Sequence, residues 1–377
     1  MDTIPIFRPS VSDKEIQAVN NVLKSGWWGE GPQVKEFENK FAKYIGKNYG
    51  IATSSCTSAL YLAVKALNLN PTDEVITTPL TFISTAYAAT LNNVKVVFAD
   101  IEPDTLNINP EDIKKKINKN TKVIIPVHYG GHSCLMDEII ELGKENNITI
   151  IEDCAHATGG AYKGRRLGSI GDASVFSFQA VKNVAAGDGG MILTNNQELQ
   201  KHLIKLRWLG IDKTTAQRSA SGKYSWYYHS EHVSHKFQMS DINASIGLVQ
   251  LSRLEELNNR RRGIVHAYNR ALAEVKWLTT PVEKGYARSS LHNYVIKLHE
   301  RVNRDLFIEH LQKNGVSSGV HYLPLYLHPV YSDVSASCPV TDKMYKNIVT
   351  LPLFPDMTKE QFDKIISCIK AFEKEIT

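Results

Sequence analysis

Short apolar segments alternate with amphipathic helices between residues 50 and 194, and this alternation restricts the chain to one class of fold. The predicted strands are Glu74–Thr77, Val94–Phe98, Lys122–Val127, Ile148–Glu152, Ala173–Ser177 and Met191–Thr194. Helical spacing between them predicts Thr57–Leu67, Thr81–Leu91, Pro110–Ile117 and Met136–Asn146. Apolar strands separated by helices indicate an α/β fold with a mainly parallel sheet covered on both faces. No G-x-G-x-x-G motif occurs, so a Rossmann dinucleotide site is not supported.

The C-terminal third has a different pattern, which predicts a second and smaller domain. A long amphipathic stretch from Ile242 to Ala273 is expected to bridge the two. After it we predict a strand and two helices and interpret the region as α+β, giving domains at residues 1–250 and 251–377. These elements are Asn293–Leu298, Arg304–Asn314 and Lys359–Phe372. The polar segment Thr214–Ser225 is predicted to be a mobile loop.

Near the N-terminus, Ser12 and Glu15 have the spacing of a capping box, and Gly26 is expected to end the helix that follows. A second amphipathic helix is predicted from Val34 to Tyr44.

Composition excludes several classes of protein. The 377 residues are 42% hydrophobic and 22% charged, carry a net charge of +5, and include no apolar run long enough to span a membrane. The five cysteines show no C-x-x-C spacing, which argues against a disulfide framework or a zinc site and favours the cytoplasm. The basic runs Lys114–Lys116 and Arg260–Arg262 are interpreted as solvated helix faces rather than nucleic-acid patches.

One pattern carries chemistry: an acid closes a buried strand, and a lysine follows the next strand. Asp153 ends Ile150-Ile151-Glu152-Asp153, and Lys182 lies five residues after Ser177 and just before a glycine cluster. Taken singly, the lysine would be a solvated side chain and the aspartate a turn residue or helix cap. Together they are typical of enzymes that use pyridoxal phosphate (PLP). The lysine forms a Schiff base with the cofactor aldehyde, and the aspartate keeps the pyridine nitrogen protonated.

The chain resembles the DegT/DnrJ/EryC1/StrS family of PLP-dependent sugar aminotransferases almost end to end. The resemblance implies a type I PLP-dependent transferase fold, like that of aspartate aminotransferase, with a large mixed sheet and a smaller C-terminal domain. The matching segments include Ser25-Gly26-Trp27-Trp28-Gly29-Glu30-Gly31-Pro32, Cys56-Thr57-Ser58-Ala59-Leu60, Thr81-Phe82, Pro126-Val127-His128-Tyr129-Gly130, Glu152-Asp153, Ser177-Phe178, Met239-Ser240-Asp241-Ile242 and His321-Tyr322.

The resemblance implies a cofactor-binding role for several of these residues. A phosphate site is expected at Cys56, Thr57 and Ser58, which open a helix, together with Ser177. The alternative to a phosphate site is an ordinary Ser/Thr helix cap. The family usually has glycine at position 56, histidine at 179 and Gly-Glu-Gly-Gly at 187–190, where this chain has Cys56, Gln179 and Gly187-Asp188-Gly189-Gly190.

Around the cofactor ring, the resemblance places Phe82 as a stacking aromatic, with core packing as the alternative. His156 is expected near the ring oxygen or, alternatively, as a core histidine. Lys182 and Asp153 are the expected catalytic residues; some related dehydratases have histidine instead of this lysine, so lysine favours transamination.

Two further expectations concern a second subunit and the substrate. Lys236 or Gln238 is expected to reach the cofactor phosphate of the neighbouring subunit in a homodimer, unless that role is absent. His321 and Tyr322 resemble a segment near the substrate of relatives that act at the sugar C4, although His321 could equally be a loop residue.

The expected activity is transfer of an amino group from L-glutamate to a nucleotide-linked keto-sugar, for surface polysaccharides such as lipopolysaccharide. The alternatives are amination of an inosose or a free sugar, a PLP-binding regulatory protein without turnover, and nucleic-acid binding by the basic runs. No metal is expected.

Overall fold

The computed structural model describes residues 3–212 and 226–376 of the chain. The segment Thr214–Ser225, predicted to be a loop, lies outside these ranges. The helices are α1 Asp13–Ser25, α2 Pro32–Ile45, α3 Cys56–Lys65, α4 Ser84–Thr90, α5 Pro110–Lys116, α6 Met136–Asn146, α7 Gln197–Arg207, α8 Asp241–Leu272, α9 Arg304–Lys313, α10 Pro339–Met344, α11 Lys359–Ala371 and α12 Glu373–Ile376. The strands are β1 Tyr49–Thr53, β2 Glu74–Thr77, β3 Lys95–Phe98, β4 Thr121–Ile125, β5 Thr149–Asp153, β6 Ala161–Tyr162, β7 Arg165–Arg166, β8 Ala173–Ser177, β9 Gly190–Thr194, β10 Leu278–Thr279, β11 Ala287–Arg288, β12 Tyr294–Leu298 and β13 Ile348–Leu351.

A seven-stranded sheet in the order β1-β9-β8-β5-β4-β2-β3 forms the largest layer of the described chain. Only β9 runs against its neighbours, which are β1 and β8, so the sheet is mixed but mostly parallel. The predicted α/β fold class is therefore confirmed. Strand β1 was not predicted, because Gly50 and Ala52 give Tyr49–Thr53 a weak strand signal.

Both faces of the sheet are buried, as its apolar strands predict. Along β8, Val175 and Phe176 point to opposite faces and belong to two different core clusters. On one face Phe37 and Phe41 of α2 pack against Phe176 and Phe178. The ring centroids are 4.8–5.0 Å apart for Phe37 with Phe178 and for Phe41 with both Phe176 and Phe178. Helix α3 covers the other face through Leu60 and its neighbours.

A smaller antiparallel sheet, β10-β12-β13, packs with α9 and α11 around a third core. Helix α8 joins the two parts: Leu254 belongs to a core cluster of the large sheet, and Tyr268 and Leu272 belong to the third core. The predicted bridging helix is thus observed. The boundary between residues 250 and 251 falls inside this helix and stays a prediction.

The run Arg260–Arg262 does not form the solvated face that its sequence predicted. Arg260 pairs with Glu256 and Asp356, and Arg262 pairs with Glu283, whereas Arg261 is buried and donates to Asn258 Oδ1. The prediction was wrong for Arg261, because one arginine of three consecutive helical residues faces the packed side of α8. In the described ranges, no helix combines the length and apolar character needed to cross a bilayer.

Candidate active site

The carboxyl ends of the parallel strands converge on one cavity. Strand β1 runs in the same direction as β8, because each is antiparallel to β9, so the ends of β1, β5 and β8 lie at one edge of the sheet. Ligands bind at this edge in open α/β sheets. The cavity has a volume of about 440 Å³. Nine of the predicted site residues line it, namely Cys56, Thr57, Phe82, Asp153, His156, Ser177, Lys182, His321 and Tyr322.

The N-terminus of α3 forms one wall of the cavity. Ser55 caps the helix by accepting from the Ser58 backbone N–H at 3.1 Å, and Ser58 Oγ accepts from the Ser55 N–H in return. Ser58 is therefore a buried capping residue and does not line the cavity, whereas Cys56 and Thr57 do. The free N–H groups and the positive end of the helix dipole favour an anion here.

Gly190, at the start of β9, allows the α3 N-terminus to approach the sheet. A Cβ at this position would lie 2.4 Å from the Ser55 carbonyl oxygen. Any larger residue would displace the first turn of α3, so Gly190 of the glycine cluster has a steric reason.

Asp153 lies at the end of β5 and is almost fully buried. Its Oδ2 accepts from Thr85 Oγ1 at 2.8 Å, and its Oδ1 accepts from the Ala155 N–H at 3.0 Å. Thr81 Oγ1 lies 3.0 Å from Thr85 Oγ1 and extends this network. Burial raises the pKa of Asp153, so a cation beside it would stabilise its charged form.

Lys182 is the one cationic side chain among the described residues that line the cavity. Its backbone N–H donates to the Gln179 carbonyl at 2.8 Å, within the turn that follows β8. Burial lowers the pKa of Lys182 to about 8, although Cys56 and Asp153 act in the opposite direction. A far larger fraction of this amine is neutral at pH 7 than of an exposed lysine, as nucleophilic attack requires.

His156 and Tyr322 form a polar pair on another side of the cavity. His156 Nε2 lies 3.1 Å from Tyr322 Oη, and burial lowers the pKa of His156 well below its ordinary value. Burial also raises the pKa of Tyr322, so its hydroxyl keeps its proton and is available to donate to Nε2. In that arrangement His156 Nδ1 carries the ring hydrogen. Nδ1 is buried and has no hydrogen-bond partner among the described residues.

The remaining predicted residues shape the cavity. Phe82 is 58% exposed, with its ring centroid 6.2 Å from that of Tyr322. Thr57 Oγ1 lies 2.6 Å from Ser84 Oγ, and Ser177 is buried at the end of β8. His321 Nδ1 lies 2.8 Å from Thr350 Oγ1, and its carbonyl accepts from the Tyr129 hydroxyl.

Lys236 and Gln238 lie outside this cavity. Lys236 is exposed, and its ammonium lies 5.3 Å from the centroid of the Trp208 ring. Gln238 Nε2 donates to Glu30 Oε2 at 2.5 Å. The prediction that one of them serves a neighbouring subunit is therefore not tested by a single chain.

Sequence reasoning missed several residues of the site. Thr85 holds Asp153, Ser55 caps α3, and Asp188 lines the cavity. His292 lies 3.5 Å from Lys182 Nζ, measured to Nε2, although 110 residues separate the two in sequence. A buried threonine one turn after Thr81 could have indicated Thr85; nothing in the local sequence indicates His292.

The arrangement fits PLP in four respects. An anion site at a helix N-terminus, a buried carboxylate, an amine of lowered pKa and an unpartnered histidine nitrogen all belong to one cavity. These are the groups that a phosphate, a pyridinium nitrogen, an aldehyde and a ring oxygen would meet, respectively.

Solved structures of aminotransferases share this fold over nearly the whole chain. PseC of Helicobacter pylori, an aminotransferase of pseudoaminic acid biosynthesis, is 27% identical with a TM-score of 0.93, covering 99% of this chain and 100% of its own. Spr1654 of Streptococcus pneumoniae, assigned as a sugar aminotransferase and solved in its PMP form, is 32% identical with a TM-score of 0.92, at 99% and 100% coverage. The fold and the site define the protein as an aminotransferase of fold type I.

The sequence narrows this class further. The profile of the DegT/DnrJ/EryC1/StrS aminotransferase family matches residues 9–370, and the chain belongs to that family. The spore coat polysaccharide biosynthesis protein SpsC of Bacillus subtilis is 38% identical in an alignment of 379 positions that covers 98% of this chain and 97% of SpsC.

Proposed function

We propose that this enzyme uses PLP to move an amino group from L-glutamate to a nucleotide-linked keto-sugar, of which a 4-keto-6-deoxy sugar is the preferred candidate. The observation that carries the proposal is the meeting of Lys182, Asp153 and the α3 N-terminus in one cavity. PLP supplies an aldehyde that takes up the amino group and a ring that accepts electrons from the substrate carbon.

Each residue has a distinct task in this proposal. The N–H groups at the start of α3, with Thr57 and Ser177, hold the cofactor phosphate. Asp153, fixed by Thr85 and the Ala155 N–H, keeps the ring nitrogen protonated. Lys182 would anchor the cofactor through its amine and, once an amino substrate has freed that amine, would act as the base that moves the proton of the substrate carbon.

The acceptor is proposed to be a sugar because of three residues that line the cavity. Phe82 and Tyr322 present aromatic faces, and His321 and Tyr322 add polar groups, which suits a hydroxylated ring. SpsC is named for spore coat polysaccharide and PseC for pseudoaminic acid, so both support a role in amino-sugar synthesis for surface polysaccharide.

The assembly is proposed to be a homodimer whose two sites each include residues from both subunits. The cavity has one lysine as its only lining cation in the described chain, whereas a phosphate and a glutamate bring several negative charges. A cation from a second subunit would balance them, and Lys236 is exposed.

A cytoplasmic location is proposed because all five cysteines are free. The proposed domains are residues 1–250 and 251–377.

The test is a ketone panel with L-glutamate as donor, assayed for both 2-oxoglutarate and the aminated product by mass spectrometry. Nucleotide-linked keto-sugars should be aminated, with 4-keto-6-deoxy sugars fastest. Lys182→Ala should abolish 2-oxoglutarate formation, whereas Lys201→Ala, a change at an exposed lysine of α7, should leave it unchanged. Turnover by Lys182→Ala would contradict the role of the lysine.

The same panel separates the alternatives. Amination of an inosose or a free sugar in preference to every nucleotide sugar would keep the chemistry and replace the acceptor. PLP binding without any product would favour the regulatory protein. Steeply salt-dependent DNA binding would indicate the nucleic-acid role, although ion pairs at Arg260 and Arg262 already engage much of that basic run.

A further inference from the structure

His292 lies in the short connection between β11 and β12, next to the proposed catalytic lysine. Its Nε2 is 3.5 Å from Lys182 Nζ. This contact lies at the outer limit of hydrogen-bond distance. His292 belongs to the C-terminal part of the chain, and Lys182 lies in the turn after β8 of the large sheet, so the contact joins these two parts.

The imidazole of His292 is held rigidly. It stacks between two rings: Phe7, with centroids 5.3 Å apart and an interplanar angle of 3°, and His156, at 4.4 Å and 29°. Its backbone N–H donates to the Gly130 carbonyl at 3.0 Å, and only 3% of the residue is exposed. These two ring contacts and the backbone hydrogen bond therefore restrict the direction of Nε2.

The surroundings keep this imidazole neutral. Burial lowers the pKa of His292 well below its ordinary value, and nearby cationic groups add to the effect. The titratable groups around His292 are Lys182, His156, Arg261 and His321. Those around Lys182 are Cys56 and Asp153, together with the three histidines at 156, 292 and 321. Because the ring remains neutral, it keeps one nitrogen as a hydrogen-bond acceptor.

We propose that His292 is a positioning residue for Lys182: its Nε2 accepts a hydrogen bond from the free lysine amine and holds that amine in place while the lysine is not bound to the cofactor. The amine must wait close to the reacting carbon and return to the same place in every cycle. A fixed acceptor limits the orientations of a side chain that has four rotatable bonds.

The role as acceptor is separable from packing by two substitutions. His292→Gln keeps an acceptor near the position of Nε2 but loses the ring, whereas His292→Phe keeps a stacked ring but loses the acceptor. The experiment uses the cofactor-free protein, so its result does not depend on the sugar or on the proposed donor. The extent of Lys182 modification by trinitrobenzenesulfonate is measured against pH by peptide mass spectrometry.

A hydrogen bond accepted from the ammonium form stabilises that form, so its loss should lower the pKa of Lys182. The wild type and His292→Gln should show midpoints near 8, and His292→Phe should react with a midpoint lower by about one pH unit, which is a tenfold change in the protonation equilibrium. Any other pattern overturns the proposal. A lower midpoint in His292→Gln alone would indicate that the ring acts by packing, and equal midpoints in all three proteins would indicate that His292 and Lys182 share no hydrogen bond. Circular dichroism and melting temperature verify folding.

A second measurement needs no change at position 292. In nitrogen NMR of histidine-labelled, cofactor-free protein at pH 7, Nε2 of His292 should be unprotonated, and its resonance should move in Lys182→Ala. A protonated Nε2, or a resonance that does not respond to loss of the lysine, would overturn the assignment.

Discussion

At the scale of single residues, two neighbouring acidic residues of β5 have different surroundings. Asp153 faces the cavity, whereas Glu152 is fully buried on the other side of β5. Glu152 accepts from the N–H groups of Gly168, Ile170 and Gly171 and from His128 Nε2 at 3.1 Å. His128 Nδ1 accepts from the Cys134 N–H, which leaves Nε2 as the donor. The pair therefore fixes the chain around the site.

Glu152→Gln should destabilise the protein without changing the cavity. Whichever carboxylate oxygen is replaced by the amide NH2, the two donors that it now accepts from would lose their acceptor, so the free energy of unfolding should fall by about 2–4 kcal/mol. Urea unfolding monitored by circular dichroism measures the change, with Glu198→Gln at the exposed start of α7 as the control. An unchanged midpoint for Glu152→Gln would contradict the structural role.

The pH dependence of that stability has a definite sign. Burial alone would raise the pKa of Glu152, but the His128 and backbone hydrogen bonds outweigh it, and the pKa is lowered. The stabilisation is therefore complete above the ordinary carboxyl pKa of about 4.3 and is lost as pH falls through the lower folded-state value. The difference between wild type and Glu152→Gln should shrink over this acid range; a constant difference would contradict the account.

The positions of Asp153 and Lys182 in one cavity could be predicted from local order, and their roles stay predictions. Asp153 ends a strand and Lys182 follows the next one, and parallel strands bring such ends to one edge of a sheet. Prediction from sequence failed for His292, because its position against Lys182 depends on packing between distant parts of the chain. Ser58 shows an intermediate case: its place at the start of a helix was predictable, but its capping partner Ser55 was decided only by the geometry.

At the scale of elements, the N-terminus of α2 is held by a side chain that is distant in sequence. The carboxylate of Asp241, which opens α8, accepts from the N–H groups of Gly31, Gln33 and Val34 at 2.9–3.1 Å. Two motif segments that lie 210 positions apart are thereby joined, and Asp241 caps α2 where no local side chain does. A family motif can thus mark a structural contact rather than chemistry.

The position of α3 is the element-level feature on which cofactor binding depends. Gly190→Ala should displace the first turn of α3, because the new Cβ would lie 2.4 Å from the Ser55 carbonyl oxygen. We expect the Kd for PLP to rise about tenfold or more, equivalent to about 1.4 kcal/mol. Fluorescence titration measures it. Gly263→Ala in α8 is the matched control, since the Cβ that alanine adds there would meet no atom within 4 Å beyond its own stretch of helix.

Should Gly190→Ala bind PLP as tightly as Gly263→Ala does, the α3 N-terminus would not be the phosphate site. A lower melting temperature with an unchanged Kd for PLP would also contradict a phosphate site at the α3 N-terminus.

At the scale of the whole molecule, we propose that each active site includes residues of two subunits. If Lys236 or Gln238 serves the partner's site, then Lys182→Ala and a Lys236→Ala, Gln238→Ala double variant should complement each other. In a mixed dimer one of the two sites combines an intact lysine with intact partner residues. Random mixing should restore roughly a quarter of wild-type activity, given two-fold symmetry. Activity no higher than the sum of the separate variants would place each site within one chain.

We propose that Lys182 binds PLP and that L-glutamate reacts at that site. The most direct measurement is the visible absorption spectrum of the purified protein with PLP, before and after L-glutamate. We expect a yellow band for the lysine-bound cofactor, which is absent in Lys182→Ala and which glutamate bleaches to the pyridoxamine form. A band that ignores glutamate would contradict the donor, and the absence of any band would contradict the role of Lys182.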